Sequence, residues 1–138
     1  MKNKIIAVIN QKGGVGKTTT VVNLSASLSI MGRKILVVDL DPQGNATTGL
    51  GRSNTGEDNN IYNLLIGKIK LKDAIQNTDI DNLDLVSSTV NLSGLEVETA
   101  NNEDRAFTLK KIFNEDQSNI LNKYDYIFID CPPSLSLL

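Results

Sequence analysis

A short glycine-rich segment near the N-terminus contains the residue types that bind phosphate. Residues 12–19 are Lys12, Gly13, Gly14, Val15, Gly16, Lys17, Thr18 and Thr19. Glycines let successive backbone N–H groups turn toward an anion, and a helix that begins at such a loop adds partial positive charge. In this arrangement Lys17 would reach the outer phosphates of a nucleotide, and the Thr18 hydroxyl would bind Mg²⁺. The segment therefore predicts a site for a nucleotide and magnesium.

Three aspartates form a second group of candidate site residues. Asp39 and Asp41 follow one apolar run, and Asp130 ends another, where a buried charge is costly unless it has a partner. Mg²⁺, reached through a bound water, is the natural partner for Asp130. For Asp39 and Asp41 two alternatives stay open. They either act near a phosphate, accepting a hydrogen bond from water, or form a simple turn before Pro42.

The elements that must position these residues alternate between strands and helices. Apolar runs typical of buried strands lie at 5–9, 35–38, 83–86 and 126–129. The first run is almost continuous, as expected for a strand buried on both faces. The alternation predicts an α/β fold with a parallel sheet and helices on both faces, in three layers. Ligands of such sheets bind beyond the carboxyl ends of the strands, which is where the candidate residues lie.

The helical patterns between the strands differ in length. The first is expected to run from the glycine-rich loop to a stop at Gly32. Its apolar stripe is Val21, Leu24, Leu28 and Met31. Short helices are expected at 61–67, at 72–75 and after the capping-box spacing of Ser93 and Glu96. A longer amphipathic helix with a core-facing stripe is expected over about 104–121.

Composition restricts the classes of function. The chain has 138 residues, 14 basic and 16 acidic side chains, one cysteine and no histidine. This favours a single soluble, cytoplasmic domain without disulfides, and it excludes histidine-based metal sites and catalytic pairs. The net charge of −2 gives no overall attraction to DNA. Lys68, Lys70 and Lys72 could touch DNA, but a solvated face is the favoured interpretation, and Cys131 is interpreted as a structural residue.

Departures from the common phosphate-loop pattern point to a particular family. Gln11 stands where the pattern has glycine, and Lys12 follows it, which resembles the deviant Walker A box of the ParA/MinD/nitrogenase-iron-protein group. Residues 37–51 (VVDLDPQGNATTGLG) and 127–138 (IFIDCPPSLSLL) resemble the ParA/Soj branch. The resemblance implies that residues 1–138 are the N-terminal part of a single P-loop ATPase domain. The fold is expected to be incomplete at the C-terminus, because members of the family are longer.

The resemblance implies an ATPase that uses Mg²⁺, with catalytic roles for Lys12, Lys17 and Asp41. Lys12 would cross an ATP-bound homodimer to the partner subunit's phosphates, and Asp41 would orient or activate water. The residues implied to hold or organise the metal are Thr18, Asp39 and Asp130. Gln43 and Asn45 could sense the γ-phosphate or serve only as turn residues. ATP is preferred over GTP by resemblance alone.

The family also implies a function in chromosome or plasmid segregation. Its members act as nucleoid-associated switches that bind DNA non-specifically, here mainly through residues beyond 138, and respond to a ParB/Spo0J-like partner. A MinD-like cell-division ATPase is an alternative, although residues 41–51 disfavour it, and no membrane contact is expected. An electron-transfer ATPase would need cluster-binding cysteines. A third alternative is an inactive fragment that lacks the family's later strands. Its first strand would then expose an edge, through which it could associate, and it would bind phosphate weakly.

Overall fold

A single sheet organises the part of the chain that the structure describes. The computed structural model describes residues 4–9, 15–52, 58–89 and 102–131, and only the backbone at residues 9, 15–19 and 102–106. The strands are β1 (Lys4–Ile9), β2 (Ile35–Asp39), β3 (Ile75–Asn77), β4 (Leu83–Val86) and β5 (Tyr126–Cys131). Their spatial order is β1-β5-β2-β4-β3. β1, β5, β2 and β4 are parallel, and β3 is antiparallel to β4.

Helices cover both faces of this sheet, which confirms the predicted α/β class. The helices are α1 (Val15–Ile30), α2 (Asn45–Gly49), α3 (Ile61–Leu65), α4 (Leu71–Ala74) and α5 (Asn102–Glu115), with a 3₁₀ turn at Ile120–Lys123. Val37 and Phe128 belong to a core cluster that includes Val21 of α1. Their strand neighbours Leu36 and Ile127 belong to a second cluster, with residues of α3 and α5. Because successive side chains of a strand point to opposite faces, the two clusters lie on opposite sides of the sheet.

The first helix ends at the predicted stop. Gly32 has a φ of 90°, a left-handed conformation that glycine adopts without steric cost. The N–H of Gly32 donates to the Ser29 carbonyl, and the N–H of Arg33 donates to the Leu28 carbonyl, each at 3.0 Å. These two bonds form a Schellman cap, which satisfies carbonyls at the end of α1.

The buried stripe of α1 differs from the predicted one. Val21, Ser25 and Ser29 are buried at four-residue spacing, whereas Leu24 and Met31 are exposed. Two small serines thus occupy the buried face, and the Ser29 hydroxyl is satisfied by donating to the Ser25 carbonyl at 2.8 Å. The apolar periodicity therefore located the helix but not all of its buried face.

The first strand is not buried on both faces, contrary to the prediction. β1 is one of the two outer strands of the described sheet, and Ile5 and Ile6 are exposed. An apolar run indicates a strand suited to burial, but burial also requires a neighbour on each side. In the residues described here, β1 has a neighbour only on its β5 side.

Other helix boundaries also differ from the predictions, and the helix expected at 61–67 is α3, which ends at Leu65. The expected helix at 72–75 is α4, which ends at Ala74, and the chain continues directly into β3. The expected helix over 104–121 ends at Glu115. Beyond it, Asp116 accepts hydrogen bonds from the backbone N–H and hydroxyl of Ser118, at 3.3 and 2.7 Å. Such local bonds compete with helix. The helix expected after Ser93 lies outside the described residues.

Candidate nucleotide site

Two of the predicted aspartates lie side by side at the carboxyl edge of the sheet. Asp39 of β2 and Asp130 of β5 are register partners, and Val8 of β1 pairs with Asp130 on its other side. Both carboxylates are two residues beyond Val37 and Phe128, so they lie on the sheet face that α1 covers. Each residue is fully buried. The predicted convergence of Asp39 and Asp130 is therefore observed, while their roles stay predictions.

Both oxygens of the Asp39 carboxylate accept hydrogen bonds from the chain that follows it. Oδ1 accepts from the backbone N–H of Asp41 at 3.1 Å. Oδ2 accepts from the N–H of Thr47 at 2.8 Å and from its hydroxyl at 2.7 Å. Burial raises the pKa of Asp39 to about 6, and the hydrogen bonds from Thr47 and Asp41 oppose that rise. Asp39 thus anchors α2 and the Asp41 backbone to the end of β2.

Asp41 is buried within a tight turn. Its Oδ1 accepts from the Gln43 N–H at 3.0 Å, and its carbonyl accepts from the Gly44 N–H at 2.9 Å. The same carbonyl accepts from the Ser88 hydroxyl at 2.5 Å. Gly44 has a φ of 66° and immediately precedes α2, so the turn uses a conformation that glycine adopts easily. The turn before Pro42 that the sequence offered as one alternative is therefore present, and it does not exclude a role for Asp41 in chemistry.

Thr47 and Ser88 are the site residues that the sequence prediction missed. Ser88 lies directly beyond β4, and its N–H donates to the Thr47 hydroxyl at 2.9 Å. Both residues are buried. The polar residues 87–89 follow an apolar strand in the same way that Asp39 and Asp41 follow theirs. The criterion that selected the aspartates could therefore have selected this segment also.

The phosphate loop falls between two described elements. β1 ends at Ile9, whose register partner is Cys131 at the same edge of the sheet, and α1 begins at Val15. The motif therefore lies between a strand and a helix, which is the context that it requires. Lys12, Gly13 and Gly14 lie outside the described residues. So do the side chains of the residues that open α1, which are Val15, Gly16, Lys17, Thr18 and Thr19.

The described donors fit a magnesium site that is completed by other groups. Mg²⁺ in nucleotide sites is bound by one or two carboxylates together with phosphate oxygens and waters. Asp39 and Asp130 supply carboxylates, but no group of three or more acidic, cysteine or histidine side chains in the described residues could hold a metal alone. A carboxylate has roughly four lone-pair sites, and Asp39 already accepts three hydrogen bonds. Asp39 therefore has roughly one lone-pair site left, through which it could help to hold the metal.

The remaining candidate residues have less specific surroundings. Lys68, Lys70 and Lys72 are exposed, as expected for a solvated face. Cys131 is buried in a core cluster, as expected for a structural residue. Gln43 and Asn45 are exposed, so both interpretations of them stay open. None of the helices in the described residues has the length and apolar character needed to cross a membrane.

Comparisons with known proteins agree with the sequence motifs. The family model AAA_31, described as an AAA domain, matches residues 3–138. The sporulation initiation inhibitor protein Soj of Bacillus subtilis is 47% identical over 135 residues, which cover 98% of this chain and 52% of Soj. The chain therefore spans about half the length of this relative. The similarity to Soj confirms the resemblance to the ParA/Soj group.

Solved structures with this fold come from proteins of different function. A cobyrinic acid a,c-diamide synthase from Mycobacterium smegmatis, with a bound ATP analog and magnesium, is 36% identical with a TM-score of 0.78. The match covers 96% of this chain and 52% of the synthase. The septum site-determining protein MinD from Pyrococcus horikoshii OT3, complexed with Mg-ADP, is 35% identical with a TM-score of 0.75. That match covers 99% of this chain and 51% of MinD. Because such different proteins superpose equally well, the fold alone does not select a function.

Proposed function

The chain belongs to the AAA_31 family of AAA domains, and from this premise we propose that it is the nucleotide-binding N-terminal part of a ParA/Soj-like partitioning ATPase. The observation that carries the proposal is the pairing of Asp39 with Asp130 at the carboxyl ends of their strands. The chain from β1 to α1 leaves the sheet at the same end. The phosphate-loop sequence lies between those two elements. The 47% identity to Soj, over 98% of this chain, supports the partitioning branch.

The proposed chemistry is ATP hydrolysis by positioning and charge. Lys17 and the backbone of the glycine-rich loop bind the β- and γ-phosphates, and Thr18 contributes its hydroxyl to the metal site. Bound Mg²⁺ supplies positive charge that offsets the charge developing on the phosphates. Asp130 would help to hold the metal, and Asp39 holds the neighbouring turn in place. Asp41 accepts a hydrogen bond from the attacking water and so orients it toward the γ-phosphate.

The proposed biological role is a nucleotide-dependent switch. ATP binding favours a homodimer in which Lys12 reaches the partner subunit's phosphates, and hydrolysis removes that contact. The dimer binds DNA non-specifically, mainly through residues beyond 138, and a ParB-like protein stimulates hydrolysis. In the cell this predicts a cytoplasmic protein that associates with the nucleoid. The similarity to Soj supports this role, and Soj is about twice as long as this chain.

Calorimetry with Mg²⁺-ATP tests the proposal on this chain. We expect ATP to bind more tightly than GTP and binding to be lost in Lys17→Ala. The matched control is Lys68→Ala, which removes an exposed lysine outside the site and should leave binding unchanged. Binding that persists in Lys17→Ala would contradict the phosphate-loop assignment. A folded wild-type chain that binds no nucleotide would favour the inactive-fragment alternative.

Sedimentation tests the switch separately from nucleotide binding. Asp41→Ala should still bind ATP but hydrolyse it slowly, so ATP-dependent dimers should accumulate. Lys12→Glu should bind ATP as a monomer, because it reverses the charge that crosses the dimer. If Asp41→Ala stays monomeric with bound ATP at all concentrations, the dimer model is wrong. Normal pairing of Lys12→Glu would exclude the crossing role.

A further inference from the structure

Ser88, in the segment beyond β4, makes two buried hydrogen bonds to the chain that follows β2. One goes to the turn at Asp41 and the other to Thr47 of α2. The Ser88 N–H donates to the Thr47 hydroxyl at 2.9 Å, and the Ser88 hydroxyl donates to the Asp41 carbonyl at 2.5 Å. Ser88 is 41 residues from Thr47 and 47 from Asp41 in sequence. All three residues are buried. This contact therefore joins two separate parts of the chain beside the candidate carboxylates.

The Thr47 hydroxyl links Ser88 to the Asp39 carboxylate, because it accepts one hydrogen bond and donates another. Its hydroxyl donates to Asp39 Oδ2 at 2.7 Å and accepts from the Ser88 N–H. A hydroxyl has one hydrogen, so donation to the carboxylate leaves its lone pairs available to Ser88. The Thr47 N–H donates to the same Oδ2 at 2.8 Å. One residue thus holds a carboxylate oxygen with its backbone and its side chain.

Asp39 and Ser88 together restrain the Asp41 backbone, because each makes a hydrogen bond to one of its two polar groups. Its N–H donates to Asp39 Oδ1 at 3.1 Å, and its carbonyl accepts from Ser88. The orientation of the Asp41 side chain depends on the peptide groups on either side of it. A change at Thr47 or Ser88 would therefore reach the Asp41 carboxylate without a direct contact.

We propose that Thr47 and Ser88 are positioning residues. By linking the end of β4 to the chain beyond β2, they hold the Asp39 and Asp41 carboxylates in fixed positions relative to each other. This inference rests on the proposed function for its consequence in hydrolysis. A positioning role and a purely structural role of these residues predict different measurements. A structural contact stabilises the whole fold, whereas a positioning contact also controls the local order of Asp41 and the rate of the chemical step.

Four variants separate the two roles. Thr47→Val keeps the shape of the side chain but removes the hydroxyl, and Thr47→Ser keeps the hydroxyl. Ser88→Ala removes only the bond to the Asp41 carbonyl. Thr48→Val is the matched control, because it makes the same chemical change at the adjacent, exposed threonine of α2.

Amide hydrogen exchange measures the positioning role without any nucleotide. We expect the Asp41 amide to exchange on the order of tenfold faster in Thr47→Val and in Ser88→Ala, the factor given by losing a hydrogen bond worth about 1.4 kcal/mol. The amide of Val37, within β2, should change much less. Thr47→Ser and Thr48→Val should match wild type. If the Asp41 and Val37 amides accelerate by the same factor, or if neither changes, the proposal is overturned.

Hydrolysis kinetics give the second measurement where the wild-type chain turns over ATP. Thr47→Val should lower kcat roughly tenfold, while KM for ATP stays within about twofold, because misplacing a reacting group by about 1 Å can cost up to about 100-fold in rate. Thr47→Ser should restore kcat. An unchanged kcat in Thr47→Val would overturn the inference. A wild-type chain that does not bind ATP would reject the proposed function, and hydrogen exchange would still decide the positioning role.

Discussion

β1 and β2 pair with opposite sides of the same strand, yet they have different surroundings. Leu36 and Ile5 are both register partners of Ile127, and Val37 and Ile6 are both register partners of Phe128. Leu36 and Val37 are 0% exposed, whereas Ile5 is 50% exposed and Ile6 is 37% exposed. The two strands have similar apolar sequences and the same partner, so neither property explains the difference.

The difference arises from what lies on the far side of each strand. β4 pairs with the other edge of β2, while β1 has no second strand partner among the described residues. Parallel strands are normally buried on both faces and flanked on both edges. The interior strands are the more buried ones and also hold the buried aspartates, so we expect them to contribute most of the stability of this sheet. Three predictions test that division, and they are taken in order of decreasing effect on stability.

The largest effect is expected from truncating matched residues on the two strands. Leu36→Ala removes a fully buried side chain and should lower the free energy of unfolding by about 3–4 kcal/mol, through lost burial and a residual cavity. Ile5→Ala should cost less than about 1 kcal/mol, because half of the side chain already contacts solvent. Urea denaturation of both variants measures the difference. Equal losses would show that β1 is as buried in solution as β2.

A smaller, pH-dependent effect is expected at the end of β2. Burial raises the pKa of Asp39 from 3.8 to about 6, so the folded state holds this proton more tightly than the unfolded state. The protonated Asp39 carboxyl group therefore contributes to the free energy of unfolding. This contribution is fully present below about pH 4 and is lost as the pH rises through about 6. Relative to Asp39→Asn, which does not titrate, wild type should therefore lose up to about 3 kcal/mol between those values. Denaturation of both proteins from pH 4 to pH 7 measures this change.

A control removes the general effect of losing one negative charge. Asp81→Asn changes an exposed aspartate outside the hydrogen-bonded turn, and its difference from wild type is subtracted at each pH. Any constant offset in Asp39→Asn reflects altered hydrogen bonds to Thr47 and Asp41, which do not depend on this titration. A difference that stays flat from pH 4 to pH 7 would mean that burial does not raise the pKa of Asp39.

The sequence predicted the parallel sheet well because its signals are local. The apolar runs of β1, β2, β4 and β5 are short and separated by helical patterns, and Gly32 marks a helix end that needs a left-handed residue. The exposure of β1 was expected only under the alternative of an inactive fragment, because it depends on which strand lies beside β1 and not on the residues of β1 itself. The short strand β3 was missed since three residues give too little pattern to separate a strand from the end of a helix.

The candidate site was predicted in part for the same reason. Asp39 and Asp130 each follow an apolar run, so the sequence indicated that they meet at one sheet edge, and they are register partners. The contact of Ser88 with Thr47 and Asp41 joins residues more than 40 positions apart. A single sequence gives no measure of such a pairing, which appears only when β2 and β4 lie side by side.

The smallest effect on stability is expected from placing a charge on the outer strand. Ile6→Lys should change the free energy of unfolding by about 0.5 kcal/mol or less, since the longer side chain can extend its ammonium group into solvent. It should, however, reduce concentration-dependent association, because an apolar edge strand presents unpaired backbone groups to another chain and lysine disfavours that pairing. Sedimentation of both proteins over a range of concentrations measures the change.

Ile30→Lys is the matched control, because Ile30 is exposed at the end of α1 and away from the edge of the sheet. Equal reductions in both variants would mean that net charge, and not the β1 edge, governs association. Unfolding of Ile6→Lys would instead show that β1 is covered in solution, and the contrast with β2 would then be lost.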